Sequence, residues 1–427
     1  MRTVLSIGIC GLTFMSGLVQ AQQQPPTPDK PIIQDQTFEA QLEWRKALVE
    51  KPVPAKGCFK VEYPSQEWVS TPCVPLPANL LRPSIVPRLR GVKRGTPEPH
   101  ADAGNGVDYV AQATSGTIVT ATGSFPSVKT TGEINVSANG ITSRKNQFSL
   151  QLNSNLFNTR ACIGSMTGQC QGWEQFVLSN DPGSPPGYLW IQFWLLDYGT
   201  PCPQGWGASG SDCSYNGKGT DLQIIGSVQS LKSVWMKGIA SAGNKDPLVF
   251  PTDTVLIGWT DVVPEARAFS ADSVLDLASH WTQSEFNVFG DLTFHLARFN
   301  RGTAIEVEQK LTFANDLVPK PLMVNTDGTT GETNNLNLVP PPCVDGPVLR
   351  FMESNTPNAV FTCPKSSCTE AKERVAQDQE QLAKLQKERN GPTCKGLAEY
   401  ECSKAVSAVE TKLANDIAFS LKECVAP

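Results

Sequence analysis

The chain has 427 residues and a formal net charge of −5, and charged residues make up only 18% of it. No basic stripe is present, which argues against nucleic acid as a partner. The low charge with abundant Gly and Pro is typical of an extracellular β-rich protein, and the length suits one large core with smaller modules.

Residues 1–21 predict a secretory signal peptide. Arg2 gives a positive start, the residues from Val4 to Val19 are mostly apolar, and Ala21 precedes the predicted cleavage point. The apolar run is too short and too interrupted to predict a membrane span, and no later segment is long enough. We therefore expect a secreted protein, extracellular or periplasmic, without a membrane span.

The cysteines predict disulfides. Removing Cys10 with the signal leaves 12 of the 13 cysteines, an even number in an oxidising compartment. Their spacing favours short-range pairs, although connectivity stays open: Cys58 and Cys73, Cys162 and Cys170, Cys202 and Cys213, Cys394 and Cys402. With three histidines and no CxxC pair, the sequence favours neither a zinc site nor a Ser-His-Asp triad, and we expect no metal or other cofactor.

Residues 22–105 form a Pro-rich N-terminal segment. Apolar spacing predicts one helix over residues 36–50 within it. The basic, Gly-containing stretch 89–95 has two interpretations. It is either the processing site of a propeptide, cut near Arg94, or an ordinary exposed linker.

Residues 106–316 predict a mainly β domain. Predicted strands cover residues 117–122, 132–136, 147–153, 173–179, 189–196, 222–228, 233–239, 254–259, 269–275, 283–289 and 304–313. Turn clusters such as Asn139-Gly140 separate them, and no βαβ alternation is present. The pattern favours a concanavalin-like antiparallel β-sandwich, or jelly roll.

The C-terminal part differs in kind. Residues 317–365 are expected to be an irregular linker. Residues 366–427 carry two helical patterns separated by Asn390-Gly391-Pro392, which predicts an αα-hairpin. Disulfides at its two ends are expected from Cys368, Cys394, Cys402 and Cys424. We interpret this module as a structural appendage or a docking element for an unidentified protein.

Three predicted strands combine Trp with Gln or Glu on one face. Side chains alternate along a strand, so each set below shares a face. The sets are Trp173 with Gln175; Trp190 with Gln192 and Trp194; and Trp281 with Gln283, Glu285 and Asn287. If these strands are neighbours in one sheet, Gln175, Gln192 and Glu285 meet over an aromatic floor in a water-accessible groove.

Four segments carry a family resemblance: residues 148–153 (FSLQLN), 172–176 (GWEQF), 190–194 (WIQFW) and 284–291 (SEFNVFGD). Over residues 106–316, about half the chain, the sequence resembles the eqolisin-type glutamic peptidases and the related neprosin-like secreted proteins. The resemblance implies a catalytic dyad on the concave face of a sandwich, with Gln175 as its glutamine and Glu285 as its glutamate. Trp190 matches a cleft tryptophan, whereas Gln192 stands where the fungal enzymes carry an acidic residue.

The resemblance implies an endopeptidase that acts on polypeptides at acidic pH. Glu285, desolvated and with a raised pKa, would take a proton from the attacking water and return it to the leaving amine. The Gln175 amide would donate a hydrogen bond to the oxyanion. The predicted substrate-binding residues are Trp173, Trp190, Gln192, Trp194, Trp281 and Gln283.

Two other functions fit the same residues. In a lectin-like carbohydrate-binding sandwich, the tryptophans would stack on sugars while Gln175 and Gln192 bind hydroxyls. A glycoside hydrolase is disfavoured because Glu285 has no obvious carboxylate partner in the sequence. The third interpretation is an exported, catalytically inactive scaffold.

Overall fold

The structure is a computed structural model of the chain, and its described residues exclude a number of segments. The residues that the structure describes are 32–54, 56–77, 108–130, 132, 135–138, 141–183, 185–242, 251–260, 264–290, 296–313, 319–323, 333–364, 367–390 and 398–424. The predicted signal peptide, the basic stretch 89–95 and Cys394 lie outside them.

The described elements are mostly antiparallel strands. The helices are α1 (Ile32–Glu50), α2 (Ser367–Arg389) and α3 (Ala398–Cys424). The strands in the first half are β1 (Gly57–Glu62), β2 (Val69–Thr71), β3 (Val74–Pro75), β4 (Tyr109–Gln112), β5 (Ile118–Lys129), β6 (Asn135–Ala138), β7 (Ile141–Lys145), β8 (Phe148–Ser154), β9 (Gln171–Asn180), β10 (Gly187–Leu196), β11 (Gly207–Ser209) and β12 (Asp212–Leu222). Those in the second half are β13 (Trp235–Ala240), β14 (Thr252–Trp259), β15 (Glu265–Asp272), β16 (Gln283–Phe289), β17 (Leu296–Arg298), β18 (Ala304–Phe313), β19 (Lys320–Met323), β20 (Thr333–Asn334), β21 (Asn337–Asp345) and β22 (Val348–Ser354).

Two large antiparallel sheets account for most of these strands. Sheet A has the order β2-β1-β15-β14-β13-β5-β18-β22-β21, and sheet B has the order β11-β12-β10-β9-β8-β16-β4-β19, with β3 paired to β12. The remaining strands form a small sheet in the order β20-β17-β6-β7. The mainly β class is therefore as predicted, and the two sheets are consistent with a sandwich.

Aromatic side chains of sheet B pack directly onto glycines of sheet A. A Cβ at Gly123 would lie 2.1 Å from Cγ of Phe286, and a Cβ at Gly238 would lie 2.6 Å from the Phe176 ring. Any larger residue at these glycines would push the sheets apart. Because Phe176 and Phe286 face sheet A, their chain neighbours Gln175 and Glu285 face the opposite side of sheet B.

The N-terminal segment, which was predicted to be Pro-rich with one helix, also contributes strands to sheet A. Strand β1 pairs with β15 over six residues, and Cys58 is bonded to Cys73. Helix α1 packs Trp44 and Leu48 onto Trp235 and Leu256, which belong to sheet A.

The prediction of an irregular linker over residues 317–365 was wrong. Strand β22 pairs with β18, and β21 pairs with β22 at the edge of sheet A. The prolines at 340–342 hid β21, because proline cannot donate to a ladder and is tolerated only on edge strands or at irregularities. The register of β21 shifts at this point, between Val339 and Cys343.

The prediction of a strand over residues 222–228 was also wrong. Strand β12 ends at Leu222, and a 3-10 helix begins at Val228. Between them, Ile224 and Ile225 line a surface pocket, so the apolar run packs without extending a sheet.

Four disulfides are described. Three predicted pairs are confirmed, Cys58–Cys73, Cys162–Cys170 and Cys202–Cys213, and a fourth, Cys343–Cys363, was not predicted. Cys402 is also disulfide-bonded.

Helices α2 and α3 contact each other near the C-terminus. Lys412 of α3 forms an ion pair with Asp378 of α2, whose side chain is buried. Val406 and Val409 of α3 are also buried. None of the helices in the described part of the chain is both long and apolar enough to cross a membrane.

Two carboxyls are buried between the sheets. Glu174 shares the core-facing side of β9 with Phe176, and Asp253 shares the core-facing side of β14 with Val255. Burial, with the Asp253 charge as a smaller cause, raises the pKa of Glu174 well above its usual range. Burial raises the pKa of Asp253 to about 7. Both groups therefore favour the protonated form in the folded state.

Replacing Glu174 with Gln tests this interior pair. Since the folded chain holds protons that the unfolded chain releases, the free energy of unfolding falls as pH rises from the ordinary carboxyl pKa towards about 7. We expect Glu174→Gln to flatten that slope and to stabilise the protein by a few kcal/mol at neutral pH, with little change at acidic pH. Urea unfolding across this pH range measures it, and an unchanged slope in the variant would contradict the assignment.

Candidate functional site

Strand register aligns five polar residues across the outer face of sheet B. Glu285 of β16 is opposite Asn153 of β8, which is opposite Gln175 of β9. Gln175 is in turn opposite Gln192 of β10, which is opposite Asn216 of β12. We call these five residues the polar row. Sequence alternation placed Gln175, Gln192 and Glu285 on one face, and the register brings them into one line.

Asn153 occupies the position between the two predicted catalytic residues. Its Nδ2 donates to Oε2 of Glu285 at 2.7 Å, and its Oδ1 accepts from Nε2 of Gln175 at 2.8 Å. Nε2 of Gln175 also donates to Oε1 of Gln151 at 3.0 Å. Gln175 and Glu285 are therefore linked through an amide, and both N–H bonds of Gln175 are used within the protein.

Two other amides on this face, Gln192 in the polar row and Gln283 outside it, have hydrogen bonds of their own. Nε2 of Gln192 donates to Oδ1 of Asn216 at 2.8 Å. Gln283, two residues before Glu285 in β16, donates from Nε2 to Oε1 of Gln112 at 2.6 Å. Both predicted substrate-binding amides thus bond to other side chains of sheet B.

Two further carboxyls lie beside Glu285. Nδ2 of Asn287 donates to Oδ2 of Asp108 at 3.0 Å and to Oε1 of Glu353 at 2.7 Å. Nδ2 of Asn334 donates to Oε2 of Glu353 at 3.1 Å. We call Asp108, Glu285 and Glu353 the acid cluster. Within the described residues, no group of three or more His, Cys, Asp or Glu side chains is arranged to hold a metal ion.

Burial dominates the electrostatics of the acid cluster. It raises the pKa of Glu285 well above the usual range, and the charge of Asp108 raises it further, while the Asn153 hydrogen bond opposes the shift. Burial likewise raises the pKa of Asp108 to about 6 and that of Glu353 to about 8. No Lys or Arg in the described part of the chain forms an ion pair with the cluster. The cluster therefore retains protons at mildly acidic pH.

Three of the predicted aromatic residues lie on the outer face but expose no ring. Trp173 and Trp194 are opposite each other in the register, with ring centroids 6.5 Å apart, and pack with Leu156 and Leu196. Trp190 packs with Val177 and Leu76. All three tryptophans are fully buried, so in this state none offers a surface on which a sugar could stack.

The prediction that Trp281 shares the face of Glu285 was wrong. Strand β16 begins at Gln283, and Trp281 lies before it, so the two-residue alternation does not reach it. Oδ1 of Asn155 accepts from the backbone N–H groups of Thr282 and Gln283, which holds the backbone at the start of β16. The Trp281 ring packs in the core, 5.7 Å from that of Phe176.

The prediction that these residues meet in a water-accessible groove was wrong. Glu285, Gln175, Gln192 and Asn153 are all fully buried. The N-terminal segment covers a neighbouring part of this face, because β3 pairs with β12, and Leu76, which follows it, lies against Trp190. The sequence prediction considered only the strands of residues 106–316.

Sequence reasoning assigned no role to Asn153, Asp108 or Glu353. Asn153 could have been identified from the sequence, because it lies in segment 148–153, which carries part of the family resemblance. The two-residue alternation of that strand is also consistent with its position on the outer face. Asp108 is recognisable only once β4 is placed beside β16. Glu353 was hidden in the presumed linker.

Comparison of the chain with protein-family models gave no match, and comparison with curated proteins gave none either.

Replacing Asn153 with Leu tests its role as the donor to Glu285. The change removes the bond that favours ionised Glu285, so we expect a loss of roughly 1–3 kcal/mol in unfolding free energy, greater at neutral than at acidic pH. Urea unfolding at the two pH values measures it. Asn216→Leu, at the other end of the polar row, is the matched control and should show no pH-dependent difference. Equal losses for Asn153→Leu at both pH values would argue against the bond.

Proposed function

We propose that this protein is a secreted, glutamic-peptidase-like endopeptidase in which Glu285 activates water at acidic pH. The observation that carries the proposal is the hydrogen-bonded chain Glu285–Asn153–Gln175 on one face of sheet B. It joins a desolvated carboxyl to the amide that the family resemblance pairs with it. The finer assignments of a jelly roll, a C-terminal αα-hairpin appendage and export from the cell belong to this proposal.

Glu285 has the properties that water activation needs. In its ionised form it takes a proton from water as the water oxygen attacks the peptide carbonyl. In its protonated form it gives the proton to the leaving amine as the C–N bond breaks. A pKa above the usual carboxyl range keeps the protonated form, which the second step needs, available at acidic pH.

The role of Gln175 requires one rearrangement. Both of its N–H bonds are engaged, with Gln151 and Asn153, so one must be released to donate to a developing oxyanion. Such a donor is typically worth about 2.7–4 kcal/mol of activation free energy. Asn153 then keeps Glu285 oriented while Gln175 turns to the substrate.

Burial of the polar row implies that the full chain is latent. A peptide cannot reach Glu285 while its side chain is fully covered. The propeptide interpretation of residues 22–105, with processing near Arg94, accounts for this state. Activity is therefore expected only once the covering part of the chain has been displaced.

The proposal is tested by digestion of a denatured protein at acidic and neutral pH. We expect the chain cut after Arg94 to degrade the substrate at acidic pH and the intact chain to degrade it far more slowly. Equal rates from both forms would contradict the proposed latency, because burial would then not limit access.

Substitutions in the cut chain test the proposed roles of Glu285 and Gln175. We expect Glu285→Gln to lower kcat/KM roughly 10²–10⁴-fold and Gln175→Ala to lower it roughly 10²–10³-fold. Glu174→Gln is the matched control, since it makes the same chemical change next to Gln175 but on the core side of the sheet, and it should retain activity. Proteolysis that survives both site substitutions would end the proposal.

A further inference from the structure

We propose that Asp108 is a positioning residue that shares a single proton with Glu285, so that the reactive form of the site is the singly ionised pair. This inference rests on the proposed function, and it extends the site to a residue outside the glutamine–glutamate dyad. Asp108 acts through Glu285 and has no assigned contact with substrate.

Strand pairing places the two carboxyls together. Strand β4 runs antiparallel to β16, with Gln112 opposite Gln283 and Ala111 opposite Ser284. Extending the same register places Asp108 opposite Asn287, two residues from Glu285 on the same face. The bond from Asn287 to Asp108 fixes the Asp108 side chain in that position.

In Glu285 and in Asp108, one carboxyl oxygen accepts a hydrogen bond from an amide and the other does not. Asn153 donates to Oε2 of Glu285, and Asn287 donates to Oδ2 of Asp108. Oε1 of Glu285 and Oδ1 of Asp108 have no donor among the described residues. Strand pairing and the Asn287 bond put the two carboxyls on one face of the sheet, and two carboxyls can bond to each other only if one of them carries a proton.

The surroundings favour one shared proton. The amides of Asn153 and Asn287 donate to the pair, and they are neutral and cannot offset a second negative charge. The remaining titratable neighbour is Glu353, whose pKa burial raises to about 8, so it stays protonated at acidic pH. Two carboxyls this close titrate as a unit, with two macroscopic pKa values.

The shared proton is compatible with the proposed reaction. Glu285 accepts a proton from water, which leaves both carboxyls protonated while the new C–O bond forms. Glu285 then passes a proton to the amine as the C–N bond breaks. The pair returns to one proton, and no other reactant is needed.

The pH profile of kcat/KM in the cut chain tests the pair. We expect a bell shape for the wild type, with the upper limb arising when the second carboxyl ionises. Asp108→Asn preserves the shape of the side chain and its contact with Asn287 but cannot ionise. It should therefore abolish the upper limb and leave the lower limb nearly in place.

Glu353→Gln is the matched control, because it removes the third carboxyl of the acid cluster, which also bonds to Asn287 but acts on Glu285 only through its charge. We expect this variant to keep both limbs. An upper limb that persists in Asp108→Asn, or disappears in Glu353→Gln, would overturn the assignment of the proton to the Asp108–Glu285 pair.

A second measurement is independent of catalysis. In protein labelled with ¹³C at the glutamate carboxyls, the signal missing from Glu285→Gln identifies Glu285, and its shift is followed with pH by NMR. We expect two titration steps in the wild type and one in Asp108→Asn. A single step unchanged by the substitution would refute proton sharing even in an active enzyme, whereas two steps without proteolysis would refute only the proposed function.

Discussion

The arrangement of the site depends on the antiparallel register of β9, β8 and β16. A shift of one residue in β8 would bring Leu152 to the outer face and Asn153 into the core, because side chains alternate along a strand. That shift would remove the donor of Glu285 and the acceptor of Gln175 together. The register is held from the inner face, where Phe176 and Phe286 fit against Gly238 and Gly123 of the opposite sheet. Core packing therefore fixes the positions of the polar groups.

Sheet B carries buried carboxyls on both of its faces, and no Lys or Arg among the described residues forms an ion pair with them. Glu174 faces Asp253 in the core, and Glu285 faces Asp108 on the outer side. In each case burial favours the protonated acid, so the free-energy cost of burying each pair is lowest at low pH. The interior pair has no part in the proposed chemistry, yet its pH preference agrees with that of the site. Fold and site thus share a preference for an acidic environment.

Local patterns predicted the elements that form through local rules. The predicted strand over residues 283–289 has the bounds of β16, the one over 304–313 has those of β18, and helix α1 covers the predicted 36–50. The alternation that identified Gln175, Gln192 and Glu285 is equally local. Trp281 shows the limit of that rule, because the period of two applies only inside a strand and β16 begins two residues later.

The remaining features of the site depend on contacts between distant parts of the chain. Asp108 and Glu285 are far apart in sequence and meet only because β4 pairs with β16. Glu353 reaches Asn287 only because β22 joins sheet A, next to β18. No periodicity in a single segment encodes such pairings. The burial of Trp190 involves in addition Leu76, which belongs to the N-terminal segment and not to residues 106–316.

The insertion of β1 into sheet A has a consequence for maturation. Strands β2 and β1 form one end of the sheet, and their departure would leave the N–H and C=O groups of β15 that bond to β1 without partners. It would also uncover Trp235 and Leu256, which α1 shields. An unpaired strand edge beside an exposed indole ring and an exposed leucine side chain favours self-association. After a cut near Arg94, α1 and β1 are therefore expected to remain as a structural subunit, and the displacement that activity requires is confined to β3 and Leu76 on sheet B.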